Sequence, residues 1–456
     1  MAVPNASLAS LALRRFGLGP RPGDLGIVGS DPQAALLDEL TRPAAALLDG
    51  PDLVPSHVAY SRNRTAEEQR RVSRAAAAAA GKPVAADPGT EDAIYKAEVT
   101  ARFQRLVTTP NGLQERLVLF WSNHFCIAVS KGNEDKVMAG PFEREAIRPH
   151  ILGKFADMLK AVEQHPAMLF YLDNNQSIGP NSRTGNGGKR GLNENLAREI
   201  LELHSLGVDG GYTQSDVTSL ARIITGWTVT SPDDDALYGG RFTFAPTRHE
   251  PGVHTLLGKT YDQIGLAQGE AALADLAVNP ATARHIARKL ATHFVSDNPP
   301  AGLVDTLTKV FLATEGDLTA VTRAMIQAPE SWSAETTKLR TPVEFLVAAT
   351  RLTGKPTDPM AVVGSLPALG QPLWNPSGPN GFPDRTDAWA TPEGMKSRLN
   401  IASRIGEQAG AADPMALLKE ANGDAVSDAT RLAVQRAESK QQAVAILLMS
   451  PEFQRR

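Results

Sequence analysis

The chain has 456 residues, enough to bury a sizeable core, with 42% apolar and 21% charged residues. Its net charge of −3 gives no electrostatic reason to expect nucleic acid or an anionic membrane as a partner. The single cysteine, Cys126, excludes an intramolecular disulfide and therefore a disulfide-stapled fold.

The N-terminal segment contains the pair Arg14-Arg15, but glycines and prolines follow where an export signal needs an apolar stretch. Uninterrupted apolar runs such as 345–349 and 443–449 are far shorter than the roughly 18 residues of a membrane span. We therefore expect a cytoplasmic protein with no membrane partner, unless a partner carries it out of the cell.

Helical periodicity dominates the rest of the chain. The first helix is predicted at 32–40, where Asp31 suits the N-cap position. Further helices are predicted at 93–108, 112–125, 141–163, 193–206, 213–226, 267–276, 280–296, 301–313, 317–328, 341–353, 395–409, 414–421, 426–436 and 440–448. Connections rich in Gly, Pro and Asn separate them. This pattern predicts one mainly α-helical domain over residues 1–456.

Three stretches break the helical pattern. Residues 62–92, with a charged piece, an alanine run and a Pro/Gly tail, predict a flexible insert whose helix faces solvent. Residues 228–262 predict a small β-hairpin or flap. Residues 355–394 are rich in Pro, Gly and Trp and predict a long ordered loop.

The densest polar cluster spans residues 191–217. At a regular helical repeat, Glu194, Arg198 and Glu202 share one edge of the predicted helix, with Asn195 and Glu199 beside them. Such a ladder usually lines a solvated face. The functional alternative is a pocket in which burial tunes a carboxylate as an acid or a base. Thr213 and Asp216 fit a capping box, which explains Asp216 without catalysis.

A Gly-rich basic loop at 181–191 precedes this helix and contains Lys189 and Arg190. Such a loop can cradle an anion at a helix N-terminus, although it lacks the Walker A pattern and a mobile surface loop is the simpler interpretation. The segment His249–His254 has the wrong spacing for a zincin motif. A divalent metal held by separated histidines and carboxylates stays open.

Several segments resemble a bacterial family known as domain of unknown function 1800. They are LALRRFGLGPRPGDL at 11–25, FWSNHF at 120–125, the stretches at 144–174, 193–227, 249–261 and 279–300, and GQPLWNPSGPNGFP at 370–383. The resemblance covers nearly the whole chain and implies a single, mainly helical domain. It does not imply a function. It does suggest an exported sulfatase- or phosphatase-like neighbour as a partner.

The family pattern also places many polar residues at positions that this chain shares, which is more typical of a site than of packing. Our leading hypothesis is a hydrolase-type enzyme acting on a small polar molecule, a glycan or an anion. Its catalytic residues would be Glu199, Glu202, His204 and His124. The substrate-binding residues would be Asn123, Asn193, Asn195, Arg198, Arg222, Trp227, Lys189 and Arg190. Glu199 or Glu202 should then share a cavity with Asn123, His124 or Arg222.

Two alternatives remain open. The first is a phosphoryl-transfer enzyme that uses Lys189 and Arg190, with Asp173, Asp209 and Asp216 as ligands of Mg²⁺. The second is a non-enzymatic helical partner or escort of the exported neighbour, in which the polar cluster is a buried structural network.

Overall fold

The amphipathic segments of the sequence form helices joined by short turns in the computed structural model. It describes residues 5–81, 89–185, 191–231, 239–333, 335–355, 357–410 and 412–456. The protein is 62% helical with four short strands in this part, so the predicted mainly α fold is confirmed. None of the described helices is long and apolar enough to cross a membrane.

In chain order the α-helices are α1 (Asn5–Arg15), α2 (Asp24–Val28), α3 (Pro32–Glu39), α4 (Ser56–Ala79), α5 (Thr90–Thr108), α6 (Leu113–His124), α7 (Asn133–Phe142), α8 (Phe155–Glu163), α9 (Pro166–Tyr171), α10 (Asn195–Glu199), α11 (Gln214–Ile223), α12 (Leu266–Ala277), α13 (Pro280–Phe294), α14 (Ala301–Ala313), α15 (Leu318–Gln327), α16 (Glu330–Ser333), α17 (Pro342–Thr353), α18 (Pro359–Val363), α19 (Thr386–Trp389), α20 (Pro392–Ala409), α21 (Pro414–Asn422), α22 (Asp428–Gln435), α23 (Lys440–Met449) and α24 (Pro451–Gln454). Two π-helical segments continue α7 and α10, at Glu143–Ile147 and Ile200–His204.

The strands form two small antiparallel pairs within the predicted flap region. Strand β1 (Trp227–Val229) pairs with β2 (Phe242–Phe244), and β3 (His254–Leu256) pairs with β4 (Lys259–Tyr261). The predicted β structure near 228–262 is therefore confirmed as two short hairpins, although residues 232–238 lie outside the described part.

Helix starts follow the capping chemistry visible in the sequence. The Asp31 side chain accepts a hydrogen bond from the backbone N–H of Ala34 at 2.9 Å, as predicted for an N-cap. The Thr213–Asp216 capping box before α11 is also present, with the Thr213 N–H donating to the Asp216 carboxylate at 2.8 Å. These caps satisfy backbone donors that a helix leaves unpaired.

The apolar side chains pack into two main clusters. The larger one runs from Ala12 to Trp374 and includes the central helices α6, α8, α11 and α13. The second joins α17 to the C-terminal helices α20–α24. The hydrophobic stripes of these helices explain both clusters. The prediction of a single domain over the whole chain stays a prediction.

The loop at 355–394 is ordered through its tryptophans. It contains α18, a 3₁₀ turn at Pro367–Leu369 and α19. Trp374 and Trp389 are only 9% and 7% exposed. Their indole N–H groups donate to Glu143 at 3.3 Å and to the Pro383 carbonyl at 3.0 Å. Buried, hydrogen-bonded indoles hold this loop against the rest of the protein.

The insert at 62–92 begins as part of α4. The side chains that α4 buries, such as Tyr60 and Asn63, all lie in its first two turns. Most later positions of α4 are exposed, as predicted, and α5 begins at Thr90, earlier than the predicted 93. Residues 82–88 lie outside the described part, so the prediction of a flexible connector stays open there.

Deleting residues 66–88 is expected to lower the melting temperature by only a few degrees. This segment contributes few buried apolar groups, and partly exposed ion pairs such as Arg70–Glu91 typically contribute about 1 kcal/mol or less. Thermal unfolding of the deletion variant, with a short Gly-Ser link, measures the effect. A fall of more than about ten degrees would mean that the alanine run packs as core.

Candidate functional site

The helix that carries the predicted catalytic residues changes its winding in the middle. Residues Asn195–Glu199 form a single α-helical turn, and Ile200–His204 then form a π-helical turn. The expectation of a regular helix over 193–206 is therefore wrong, because the helical residues run from Asn195 to His204 and change to π winding at Ile200. A π turn adds a residue to the repeat and rotates the positions that follow. His204, the last residue of the π turn, is buried and only 1% exposed.

The first turn of this helix is joined to α11 by hydrogen bonds between polar side chains. Arg198 lies 3.3 Å from Glu194 and donates to Gln214 at 2.9 Å. Gln214 and Thr218 donate in turn to the Glu194 carboxylate, at 2.8 and 2.7 Å. The Glu194 and Arg198 side chains are 31% and 39% exposed, so this part of the ladder is a partly solvated helix contact.

The two asparagines at the helix start serve its backbone. The Asn193 side chain accepts from the N–H of Asn195 at 2.9 Å and donates to the Asp173 carbonyl at 3.3 Å. Asn195 itself is exposed. Glu202, on the π turn, accepts a hydrogen bond from the Tyr212 hydroxyl at 3.1 Å. These contacts hold the helix and its next turn together.

Two further predicted binding residues lie elsewhere. Trp227 is completely buried and packs edge-on against Phe242, so it presents no face to a ligand. Arg222 is half-buried on α11, where its charge lowers the pKa of His254, although burial of that histidine is the larger cause. The structure does not bring either residue to Glu199.

A second group of predicted residues does meet, around the end of α6. The His124 ring donates from Nε2 to the His204 carbonyl at 3.2 Å, and its Nδ1 lies 2.8 Å from Nζ of Lys289 on α13. Burial lowers the pKa of His124 well below its usual value. His124 is therefore neutral, with Nδ1 accepting from the lysine.

His204 is tied to a buried carboxylate on α8. Its Nδ1 lies 2.7 Å from Oε1 of Glu163, and both side chains are almost inaccessible. Oε2 of Glu163 has no hydrogen-bond partner within the described residues. This pair anchors the π turn to α8 and orients the His204 carbonyl that accepts from His124.

Lys289 brings an ionisable amine into this group. Burial lowers the pKa of Lys289 to about 8, with the nearby Asp384 charge acting in the opposite direction. The side chain remains partly exposed. A lysine with such a pKa exchanges its proton close to neutral pH. The pKa of His285, one turn earlier on α13, is lowered to about 4 by burial and by the Lys289 charge.

Glu199 is a second ionisable group whose charge acts on Cys126. Burial raises the pKa of Glu199, and the neighbouring Glu202 carboxylate raises it further. The carboxylate is half-buried and accepts no hydrogen bond from the described residues. Burial raises the pKa of the Cys126 thiol to about 12. The Lys289 charge lowers this pKa and the Glu199 charge raises it, but both effects are smaller than that of burial. Cys126 is therefore a poor nucleophile near neutral pH.

A cleft opens next to Cys126. It has a volume of about 690 Å³ with its mouth included, which suits a small-molecule ligand. Its walls come from α5, α6, α17 and the loop at 366–384. Asn123 lines the cleft, but its side chain donates to the Phe382 carbonyl at 2.9 Å and accepts from the Phe382 N–H at 2.8 Å. Asn123 therefore holds the loop in place.

One wall of the cleft contains a strained residue. Trp374 has a φ of 48°, a left-handed conformation that a bulky side chain rarely adopts. Its carbonyl accepts from the Val129 N–H at 2.9 Å, and the Arg102 guanidinium lies 5.2 Å from the centre of its ring. Such strain persists only where surrounding contacts impose it, and it is frequent at ligand sites.

The inner end of the cleft is lined by a buried charge network. His293 lies 2.7 Å from Asp384 through Nδ1 and accepts from Arg116 at 3.0 Å through Nε2. Arg116 and Arg456 flank Glu344 at 3.0 and 2.9 Å. Burial lowers the pKa of His293 to about 4. Both of its ring nitrogens are occupied, so His293 supports the network and does not act as a free base.

The sequence interpretation missed the contribution of α13. His285, Lys289 and His293 repeat every four residues, so they form one polar stripe along the helix. Each reaches a different element: the Leu203 carbonyl, His124 and Asp384. The spacing was visible in the sequence, but only the packing shows that this stripe faces inward.

The expected shared cavity is only partly realised. Asn123 lines the cleft, whereas Glu199 and Glu202 do not, and no hydrogen bond joins either carboxylate to Asn123, His124 or Arg222 within the described residues. Cys126 connects the two regions, because its side chain lines the cleft and its thiol feels the charge of Glu199.

The magnesium hypothesis finds no assembled site in the described part. Asp173 pairs with Lys131 at 2.7 Å, and Asp216 accepts from the Leu257 N–H at 2.7 Å as well as capping α11. Asp209 is exposed. The described residues contain no group of three or more metal-ligating side chains suitably placed. Lys189 and Arg190 lie outside the described residues, so their predicted role stays a prediction.

A family model described as protein of unknown function (DUF1800) matches residues 11–455, nearly the whole chain. The match confirms the resemblance seen in the sequence motifs. No curated protein and no solved structure matches the chain.

Proposed function

The chain belongs to the DUF1800 family, and we propose that it is a hydrolase-type enzyme whose acid–base groups are Glu199 and Lys289. The observation that carries the proposal is the Lys289–His124 pair, joined at 2.8 Å, together with the half-buried Glu199, since the charges of Lys289 and Glu199 both act on the Cys126 thiol. Environments that move the pKa values of two ionisable groups toward neutral pH are common in sites of acid–base catalysis.

Each group has a role that follows from its charge near neutral pH. Glu199, once ionised, takes a proton from the attacking water and so acts as general base. Lys289, as an ammonium, donates a proton to the leaving group and so acts as general acid. Its pKa of about 8 makes that transfer easier than from an ordinary lysine. His124 is a positioning residue, because its Nδ1 orients the Lys289 amine.

The cleft beside Cys126 is the proposed space for the substrate; its walls include neither Glu199 nor Lys289, and Cys126, on which both of their charges act, connects it to them. Its walls are mainly apolar, with Trp374 and Leu373 among them, and its charged groups are mostly paired with one another. A polar substrate with an apolar face fits such walls better than a strongly charged one. A glycan belongs to this class, since sugar rings present apolar faces to aromatic side chains. An anionic substrate is the less favoured option.

Hydrolysis of 4-nitrophenyl acetate, 4-nitrophenyl phosphate with Mg²⁺ and a set of 4-nitrophenyl glycosides tests the proposal. For any substrate turned over, Glu199→Gln and Lys289→Met are each expected to lower kcat/KM about a hundredfold or more, with folding retained. Activity should rise as Glu199 ionises and fall as Lys289 loses its proton near pH 8.

Matched controls separate chemistry from a general loss of charge. Glu270→Gln removes a partly exposed carboxylate on α12, and Lys309→Met removes an exposed lysine on α14. Both should leave kcat/KM within about twofold of the original. Equal activity in the Glu199, Lys289 and control variants would contradict the proposed roles, and a purified protein inactive on the whole panel would count against this hydrolase.

A further inference from the structure

Lys289 takes part in a chain of three groups arranged like those around an activated nucleophile. Nζ of Lys289 lies 2.8 Å from Nδ1 of His124, and Nε2 of the same ring lies 3.2 Å from the His204 carbonyl. Because a carbonyl only accepts, Nε2 carries the ring proton and Nδ1 presents its lone pair to the amine. A nucleophile next to a base that a third group orients is the usual geometry of covalent catalysis.

The amine has no carboxylate to hold it as an ammonium ion. Within the described residues Lys289 forms no ion pair, and Asp384, whose charge raises its pKa, acts without a hydrogen bond to it. Burial is the larger effect and lowers the pKa to about 8. At pH 7 about a tenth of Lys289 is then free amine, against less than about a thousandth of an ordinary lysine with a pKa of about 10.4.

His124 is available as a base at the same pH. Burial lowers its pKa well below the usual value and the charge of Lys289 lowers it further, so Nδ1 stays unprotonated near neutral pH. His285, one turn before Lys289 on α13, has its Nε2 turned to the Leu203 carbonyl at 3.3 Å. His124 is therefore the histidine that bonds the amine and can take up its proton.

The surroundings of the amine restrict the compounds that can react with it. Lys289 is only partly exposed, which favours a small molecule. Two acidic groups bear on this region: Asp384 acts on Lys289, and Glu199 acts on Cys126, on which the Lys289 charge acts too. Both carboxylates repel an anion, so an uncharged compound is favoured.

We propose that Lys289 condenses with the carbonyl group of a small, uncharged aldehyde to form an imine, with His124 as its base. The lone pair of Nζ attacks the carbonyl carbon, and the carbonyl π electrons move to the oxygen. One amine proton passes through Nδ1 of His124 to that oxygen, and the oxygen then leaves as water with the second amine proton, so that a C=N bond remains. The ammonium form of Lys289 is the general acid proposed above, whereas this reaction uses the free amine and does not depend on the hydrolase.

Reductive labelling of the full chain with propanal tests the proposal. Sodium cyanoborohydride reduces an imine to a stable secondary amine, and mass spectrometry of the digested protein gives the labelling rate at each lysine. At pH 7 Lys289 is expected to be labelled at least about tenfold faster than the exposed Lys309, measured in the same digest. With the anionic aldehyde glyoxylate in place of propanal, the ratio of these two rates should fall at least about threefold.

The variant His124→Gln isolates the contribution of the base. Glutamine keeps a hydrogen-bonding group near the amine but does not take up a proton, so labelling of Lys289 should slow at least about tenfold while Lys309 keeps its rate. His150→Gln, which changes a half-buried histidine on the turn Arg148–His150, should leave both rates within about twofold. Circular dichroism and urea unfolding check that both variants fold.

Three outcomes count against the proposal. Labelling of Lys289 no faster than that of Lys309 in the original chain would overturn it, whether or not the His124 variant folds. Unchanged labelling of Lys289 in folded His124→Gln would overturn the role of His124 as the base. A higher ratio of the two rates with glyoxylate than with propanal would overturn the assignment of an uncharged aldehyde.

Discussion

Replacing Arg148 by methionine is expected to destabilise the protein by about 3–5 kcal/mol. Arg148 is completely buried, and its guanidinium lies 2.7 Å from Glu115 and 2.9 Å from Glu143. The two carboxylates raise its pKa above the ordinary value, although burial acts the other way. Methionine keeps the length of the side chain but leaves two buried carboxylates without a shared cation. Urea unfolding at neutral pH measures the loss.

An exposed pair provides the control for this prediction. Arg284 lies 3.1 Å from Asp305, and both side chains are more than half exposed. Arg284→Met is expected to change stability by at most about 1 kcal/mol. Adding Glu115→Gln to Arg148→Met should recover part of the loss, since it removes the carboxylate that has lost its cation, whereas Glu143 keeps Arg102 at 2.8 Å. Equal unfolding midpoints for the two arginine variants would contradict the interpretation of a buried network.

Asp135→Asn is expected to be more stable than the original chain, and the difference in their free energies of unfolding should be larger at pH 7 than at pH 5. Asp135 is 2% exposed, and its Oδ1 has no hydrogen-bond partner among the described residues. Burial raises its pKa to about 8, and the Glu134 carboxylate adds to this shift. Asparagine keeps the shape of the side chain and never ionises.

The direction of this pH dependence follows from the number of protons that the folded and unfolded states bind. Between about pH 4, the ordinary pKa of an aspartate, and about pH 8, the folded protein keeps this proton and the unfolded chain loses it. Rising pH in that range therefore favours unfolding of the original chain, by up to about 1.4 kcal/mol per pH unit. In Asp135→Asn this contribution disappears, so its stability advantage grows with pH.

Urea unfolding of both proteins at pH 5, 6 and 7 measures the difference. Asp157→Asn, which changes an exposed carboxylate at the start of α8, should show no comparable growth with pH. A constant difference between the Asp135 variant and the original chain across this range would show that Asp135 is ionised in the folded protein.

The local features of the fold were predictable because their causes lie within a few residues. The caps at Asp31 and Thr213, the exposed second half of α4 and the hairpins near 228–262 each follow from short-range patterns. The motif at 193–227, with its many polar residues, was sufficient to identify the family. Together with FWSNHF at 120–125, it also indicated His124, His204 and Glu199 as residues of interest.

The winding and the partners of those residues required the tertiary structure. A regular repeat placed Glu194, Arg198 and Glu202 on one edge. Glu194 and Arg198 do pair with each other, whereas Glu202, on the π turn at Ile200–His204, bonds Tyr212 instead. Whether a helix contains a π turn depends on how it packs, so the helix propensities of its residues do not predict one.

The sequence by itself determined a mainly helical protein of one family, with polar residues concentrated near its centre. Only the tertiary structure decided which of them meet. His124 and Lys289 are 165 positions apart, and His293 and Asp384 are 91 apart. Helical periodicity assigns a side chain to a face of its own helix, whereas the partner of that face is set by the packing of the whole chain.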